Sequence, residues 1–329
     1  MSNINEMKGV AIDRFGGPET LTVRTLPVPE IKPNQILIRV ESAGVGIWDT
    51  LEREGAMARL YKIQTEFPFV LGSEGAGKIV EMGNEVSEYR NGDSIYGFIW
   101  ERNPKGGFHA EYAAVDADQA WPIPSKLTLE EASALIIGGA TALKGLDDVL
   151  QLKPDEKIII VGGSGTVGHM AIQIATRMGA HVFAVASQDD GVSLASRLGA
   201  EAVVDGHHGD ITRSARQYSP NGFDAAFLTA GGDPAEKAVS ALREGGRVAH
   251  PFGVKTPNIP STVKLLPPYI VNKDPESMDR GLIARLNKMT EIGNFEVHID
   301  EAFSLDRALD AYRALGSHHI GRLVIRPNI

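Results

Sequence analysis

The chain has 329 residues, 43% of them hydrophobic and 23% charged, which excludes disordered and fibrous classes and leaves length for about two domains. A net charge of −9, with no run of lysine or arginine to offset it, argues against a nucleic-acid or anionic-membrane surface. Cysteine is absent, so disulfides, thiolate zinc sites, iron–sulfur clusters and cysteine nucleophiles are excluded.

In chain order, the opening MSNINEMKG lacks the basic and apolar regions of a signal peptide. No apolar stretch of about 18 residues follows, and a cytoplasmic location is expected. From residue 7 to about 126 apolar positions favour a period of two: Ile36, Ile38 and Val40 alternate with Leu37, Arg39 and Glu41, and glycine or proline turns cut the runs short. This predicts a β-rich domain over 1–127. Thr128 and Glu131 have capping-box spacing and predict a long apolar helix through EEASALIIGGATALKGLDDVL, residues 130–150.

Over 128–266 short apolar strands alternate with helices: IIIVGG at 158–163, HVFAVAS at 181–187, AVVD at 202–205, FDAAFLTA at 223–230 and RVAHPFG at 247–253. That order predicts a parallel sheet wound on both faces. Over 267–329 the pattern shifts to a helix with Leu282, Ile283, Leu286, Met289 and Ile292 on one stripe, a second helix after Ser304 and a last strand, RLVIR. No internal repeat or low-complexity segment interrupts the chain.

The segment VGGSGTVG, residues 161–168, contains GxGxxG as Gly163, Gly165 and Gly168. It follows an apolar strand and precedes a helix whose Ala171, Ile174, Ala175 and Met178 form one stripe. Strand, glycine turn and helix inside a βαβ unit bring backbone N–H groups and the positive helix end to one point, the geometry of a dinucleotide site over Gly163, Ser164, Gly165, Thr166, Val167 and Gly168. The second strand ends at Ser187, where a small residue suits the 2′-phosphate of NADP and an acid suits NAD. Asp189 and Asp190 follow, and they fit either a helix cap or the ribose.

A β-rich first domain, a dinucleotide fold entered near residue 127 and a return to the first domain over 267–329 resemble the medium-chain dehydrogenase/reductase superfamily. The resemblance covers nearly the whole chain. Gly162, Gly165 and Gly168 as GxxGxxG, LGSEGAGKIVEMG (71–83), GGFHAEY (106–112) and GRLVI (321–325) are most similar to its zinc-independent, quinone-oxidoreductase-like branch. The resemblance implies an α/β chain with a GroES-like β-rich catalytic domain and a Rossmann domain with a doubly wound parallel sheet. It also implies a homodimer.

Zinc-dependent members of that superfamily carry Gly-His-Glu and Gly-x-Cys, both supplying metal ligands. Here Gly72-Ser73-Glu74 has serine in place of the histidine, and Gly44-Val45-Gly46 has glycine in place of the cysteine. Neither binds zinc usefully, and no metal is expected. Glu74 is then expected to hold its turn by hydrogen bonds to backbone or to an arginine such as Arg53. Hydride transfer to an acceptor that is already electrophilic, a quinone or an activated alkene of enone or acrylate type, follows from the resemblance.

The branch reads Asn-Phe-x-Asp-Thr-Tyr at its substrate face, whereas this chain reads Gly46-Ile47-Trp48-Asp49-Thr50-Leu51. Tyr61 becomes the candidate donor to the substrate oxygen, Trp48 a pocket wall or a core residue, and Asp49 a structural carboxylate near Arg53. For the coenzyme the resemblance points to Thr141 beside the nicotinamide, Thr166 and Val167 amides on the pyrophosphate, Ala230 and Gly231 on the adenosine side, and Phe252 and Gly253 under the nicotinamide. His250 is worth a mutant. The branch's basic 2′-phosphate residue and its tyrosine fall at Gly191 and Gly206, leaving His207 or His208 as substitutes, with NADP(H) slightly ahead of NAD(H). His207-His208 and His318-His319 are adjacent pairs, expected on exposed loops with their rings apart. Rival readings are a non-catalytic NAD(P)H-binding sensor or scaffold and a zinc-free alcohol dehydrogenase.

Overall fold

Two units make up the described residues, 5–99, 106–271 and 277–328, of this computed structural model. The first comprises 1–136, 272–280 and 299–329, the second 137–271 and 281–298. The first begins with β1 (Glu6–Ile12), β2 (Thr22–Pro27) and β3 (Gln35–Val45), then α1 (Ile47–Arg53) and α2 (Ala56–Tyr61). Strands β4 (Phe69–Val70), β5 (Glu74–Met82), β6 (Ser94–Phe98), β7 (Tyr112–Asp116) and β8 (Ala120–Pro122) follow. Ile36, Ile38 and Val40 of β3 are fully buried with Ile79, Ile95 and Phe108, while Arg39 faces water, as the period of two requires. Leu37 departs from that alternation and is also buried.

The capping box forms. Thr128 Oγ1 accepts the Glu131 N–H at 3.2 Å, and the Glu131 carboxylate accepts the Thr128 N–H at 2.9 Å. The long helix does not follow. α3 (Leu129–Ala132) stops where the Ser133 carbonyl accepts the Gly44 N–H of β3 and the Ser133 hydroxyl binds the Glu130 carbonyl. α4 (Ile136–Leu143) then runs into a π-helical turn at Lys144–Val149. Tyr269 explains it: its hydroxyl donates to the Thr141 carbonyl at 2.7 Å and occupies the space a side chain on Gly145 would need. A group inserted into the i→i−4 ladder widens the turn by one residue.

The second unit continues as β9 (Lys157–Val161), α5 (Gly168–Arg177), β10 (His181–Ala186), α6 (Gln188–Arg197), β11 (Ala202–Asp205), α7 (Ile211–Tyr218), β12 (Phe223–Leu228), α8 (Asp233–Ser240), β13 (Leu242–Ala249) and β14 (Lys264–Leu265). All six strands pair in parallel in the order β11-β10-β9-β12-β13-β14. Read from β9 that is 3-2-1-4-5-6, the Rossmann order, and it places the loops after each strand along one edge. α9 (Arg280–Thr290) buries Leu282, Ile283 and Leu286 as expected. It ends two residues early: Ile292 is exposed, and Thr290, whose hydroxyl folds back onto the Asn287 carbonyl, takes the buried position.

The chain returns to the first unit as β15 (Ile299–Ser304), α10 (Ala308–Ala314) and β16 (Arg322–Arg326). β16 pairs antiparallel with β3, Leu323 opposite Val45 and Val324 opposite Gly44, and so completes a sheet ordered β15-β16-β3-β5-β6-β8, with β7 also on β3. That register sets Arg322 beside the end of β3. Among the described residues no helix is long and apolar enough to cross a membrane.

Candidate functional site

In the second unit, the glycine turn is held by close main-chain contact. The N–H groups of Gly162 and Gly163 both donate to the Val185 carbonyl, at 3.0 and 2.9 Å, and Gly165 N–H donates to Gly162 at 3.0 Å. Gly162 has φ +80°, a left-handed conformation that glycine adopts without strain. A Cβ on Gly168 would collide with the Gly162 carbonyl, so the start of α5 can rest against the end of β9 only without one. Gly165 differs: a Cβ there would meet nothing of the protein closer than 3.5 Å. Its bareness serves no internal packing and leaves room for a ligand's backbone approach. Since the first amides of a helix have no acceptor within it, the turn fits an anionic pyrophosphate.

The neighbouring loops extend that edge. Ser187, just after β10, donates its N–H to Ser164 Oγ at 3.2 Å, and its hydroxyl lies 3.1 Å from His207 Nε2. Gln188 and His207 both donate their N–H groups to one Asp205 oxygen, at 3.2 and 3.0 Å. The His207 amide, then that of Gln188, holds the Asp205 carboxyl below its usual range despite slight burial. Asp190 sits in the first turn of α6 and accepts the Gly191 N–H at 2.7 Å. His207 and His208 lie on an exposed loop with ring centroids 6.3 Å apart, the first turned toward Ser187.

Ala230 and Gly231 follow β12, and Phe252, exposed, and Gly253 follow β13 with open space around the latter. Thr141 is buried on α4. His250 is buried with both ring nitrogens engaged, Nδ1 with the Pro251 carbonyl and Nε2 with the Thr256 hydroxyl, each at 3.1 Å. That is a structural arrangement.

In the first unit, Gly46 caps α1. Asp49 takes the Gly46 N–H at 2.8 Å on one oxygen and the Ser73 N–H at 3.2 Å on the other, tying the end of β3 to the turn before β5. Glu52 accepts the Trp48 indole N–H at 3.2 Å and the Ser73 hydroxyl at 2.9 Å. His109 lies 3.0 Å from the Gly44 carbonyl through Nε2 and 3.0 Å from the Tyr312 hydroxyl through Nδ1; since a carbonyl only accepts, Nε2 carries the proton. Burial, then the charges of Asp49 and Glu52, push the Tyr312 phenol well above its ordinary value. Tyr61 is half-buried at the last residue of α2.

Two expectations are corrected. The arginine that meets Glu74 is Arg322, not Arg53: the pair is fully buried and joins β5 to β16. Asp49 binds two amides, and Arg53 binds the Gly16 carbonyl at 3.1 Å and Glu54 at 2.8 Å. The first correction comes from the register of β16 on β3, which brings an arginine in from far along the chain; the second comes from the cap of α1, where Asp49 takes the Gly46 N–H. The arginine opening the apolar run RLVIR was the only signal available in sequence.

Arg322 also bears on metal binding. Its guanidinium fills the space in front of Gly44, and a Cβ on Gly46 would lie 3.4 Å from Nη1. Its Nε is buried with no hydrogen-bond partner among the described residues. The residues that would have to hold a zinc ion are a glycine, a serine and a glutamate paired to this cation, and such a set does not fit the metal. Among the described residues no group of three His, Asp or Glu side chains could hold one.

Residues 32–125 match the family model of the alcohol dehydrogenase GroES-like domain, and 166–274 that of zinc-binding dehydrogenases. The chain is 30% identical to a 2-methylene-furan-3-one reductase from Solanum lycopersicum over 98% of its own length and 80% of the relative's. It is 31% identical to an alcohol dehydrogenase from Rhizobium meliloti over 74% and 76%. Among solved structures it is similar to the quinone oxidoreductase from Coxiella burnetii, with a TM-score of 0.79 and 26% identity over 98% of this chain and 99% of that one.

Proposed function

The chain belongs to the medium-chain dehydrogenase/reductase superfamily, in its quinone-oxidoreductase-like branch, and we propose that it is a metal-free NAD(P)H-dependent reductase of quinones or activated alkenes. One observation carries this reading: Gly165 leaves room at the glycine turn for a pyrophosphate's approach, while a buried arginine, Arg322, lies against Gly46, where the family's cysteine would be, and pairs with Glu74. The bound nicotinamide supplies hydride. With no Lewis acid to stabilise an alkoxide, the acceptor must be electrophilic on its own account.

The protein's tasks are binding and orientation. The turn amides of Thr166 and Val167 hold the pyrophosphate. Ser187 and His207 receive the 2′-phosphate, which favours NADP(H), while Ala230 and Gly231 line the adenosine and Thr141, Phe252 and Gly253 the nicotinamide. Trp48 walls the acceptor, Tyr61 donates to the oxygen that gains charge as hydride arrives, and Asp49 keeps the start of α1 in place. The likeness to an alcohol dehydrogenase keeps alcohol oxidation as a second outcome of the test.

NADPH and NADH oxidation is measured against quinones, enones and acrylates, before and after chelation. We expect at least one acceptor class to drive oxidation, a rate unchanged by chelator, and a Tyr61→Phe variant with kcat lowered by roughly tenfold to a hundredfold. Cofactor binding without oxidation of any acceptor would favour a sensor, and alcohol-dependent NADP reduction a dehydrogenase.

A further inference from the structure

His169 is the second residue of α5, directly after the last glycine of the turn, and its ring is fully buried. Nδ1 lies 2.9 Å from the Gly165 carbonyl. Nε2 lies 3.3 Å from the main-chain N–H of His298, a group that can only donate. Nε2 therefore accepts and is bare, so the single ring proton sits on Nδ1 and is donated to Gly165.

The partner of Nε2 is itself anchored. Gln173, one turn further along α5, accepts the Glu296 N–H at 2.9 Å and donates its amide to the Glu296 carbonyl at 2.8 Å. The Glu296 carboxylate pairs with Arg197 and lies 3.0 Å from His298 Nδ1. Residues 296–298 thus run fixed alongside α5, and His169 spans from them to the turn.

A Cβ on Gly165 would meet nothing closer than 3.5 Å, its N–H is bound to Gly162, and its carbonyl accepts the main-chain N–H of His169 at 3.1 Å as well as facing the ring. A trans peptide points its C=O and N–H in opposite directions, so fixing the Gly165 carbonyl toward the ring turns the Thr166 N–H away from it. We propose that His169 is a positioning residue for the coenzyme: its Nδ1–H, added to the main-chain N–H that the same carbonyl accepts, holds the Gly165–Thr166 peptide in the orientation that receives the pyrophosphate. The proposal rests on the reading of the glycine turn as the pyrophosphate site.

Three measurements test it. In the wild-type protein a long-range nitrogen–proton NMR spectrum finds His169 protonated at Nδ1 and bare at Nε2; the opposite tautomer overturns the proposal whatever the variants do. His169→Leu, with no donor, raises KM and Kd for the tighter-binding of NADPH and NADH by about tenfold with kcat little changed, the effect of one lost hydrogen bond. His169→Asn, whose side-chain amide can donate from near the place of Nδ1, recovers most of that affinity. Wild-type protein that binds the coenzyme, with a Leu variant equal to it, refutes the positioning role. Wild-type protein that binds neither nucleotide refutes the pyrophosphate reading itself.

Discussion

Arg322 and Glu74 make the sharpest case for single residues. Both are almost wholly shielded from water, and each neutralises a charge the other could not lose to solvent. Arg322→Leu takes the arginine away from a buried carboxylate and is expected to cost about 3–5 kcal/mol, read as a lower urea midpoint. Replacing both residues by leucine should recover much of the loss, because neither charge of the pair is left. A single variant as stable as the parent would show that the carboxylate reaches another cation or water. The sequence made Glu74 legible as a carboxylate that holds its turn through backbone or an arginine, but pointed to Arg53 where the structure has Arg322. The glycines of the turn were legible individually, since strand, glycines and helix are adjacent in the chain. His169 was not, because its ring is read only through Gly165 on one side and His298, 129 positions away, on the other.

Among the elements, local signals were strong where they needed no distant partner. The Thr128–Glu131 box formed because all its atoms lie within one turn. The long helix after it was interrupted by contacts that periodicity does not encode: a strand amide seeking the Ser133 carbonyl, and a tyrosine hydroxyl entering the ladder at Thr141. Tyr269→Phe removes that hydroxyl and is expected to lower stability by about 1 kcal/mol. Gly145→Ala should cost more, because its methyl group meets the tyrosine oxygen, and combining it with Tyr269→Phe should relieve part of the cost. Denaturant melts of the three variants decide it; Gly145→Ala as stable as its parent would contradict the stated cause of the π-helical turn. The end of α9 teaches the same lesson, since Ile292 kept the period and still finished in solvent once Thr290 closed the helix.

For the molecule as a whole, pH dependence follows from groups spread over both units. The Arg24 guanidinium beside Asp13, the Tyr218 hydroxyl on Glu201 and the His207 amide on Asp205 hold those carboxyls below their ordinary range. Asp224 and Glu296 are held low as well: burial opposes this, and the Lys157 amide with Arg243, and Arg197, outweigh it. Depressed carboxylates contribute stability that is present above their unfolded values of about 4 and lost as pH falls through the folded ones. Burial moves Tyr218, Tyr269 and Tyr312 the other way, and their contribution is lost as pH rises past about 10. The urea midpoint should therefore drop between about pH 5 and 3 and again above about pH 10, and a midpoint that rises on acidification would contradict this.

The sequence by itself determined that this is an α/β chain with a parallel nucleotide-binding sheet, and that the cysteine and histidine of the family's metal site are gone, because each rests on residues adjacent in the chain or on a residue type simply missing. The tertiary structure decided what stands beside those gaps. Arg322 reaches Glu74 across 248 positions, and it does so because the pairing of β16 with β3 sets it at the end of that strand. Strand register is a property of the assembled sheet, so no local period could announce it.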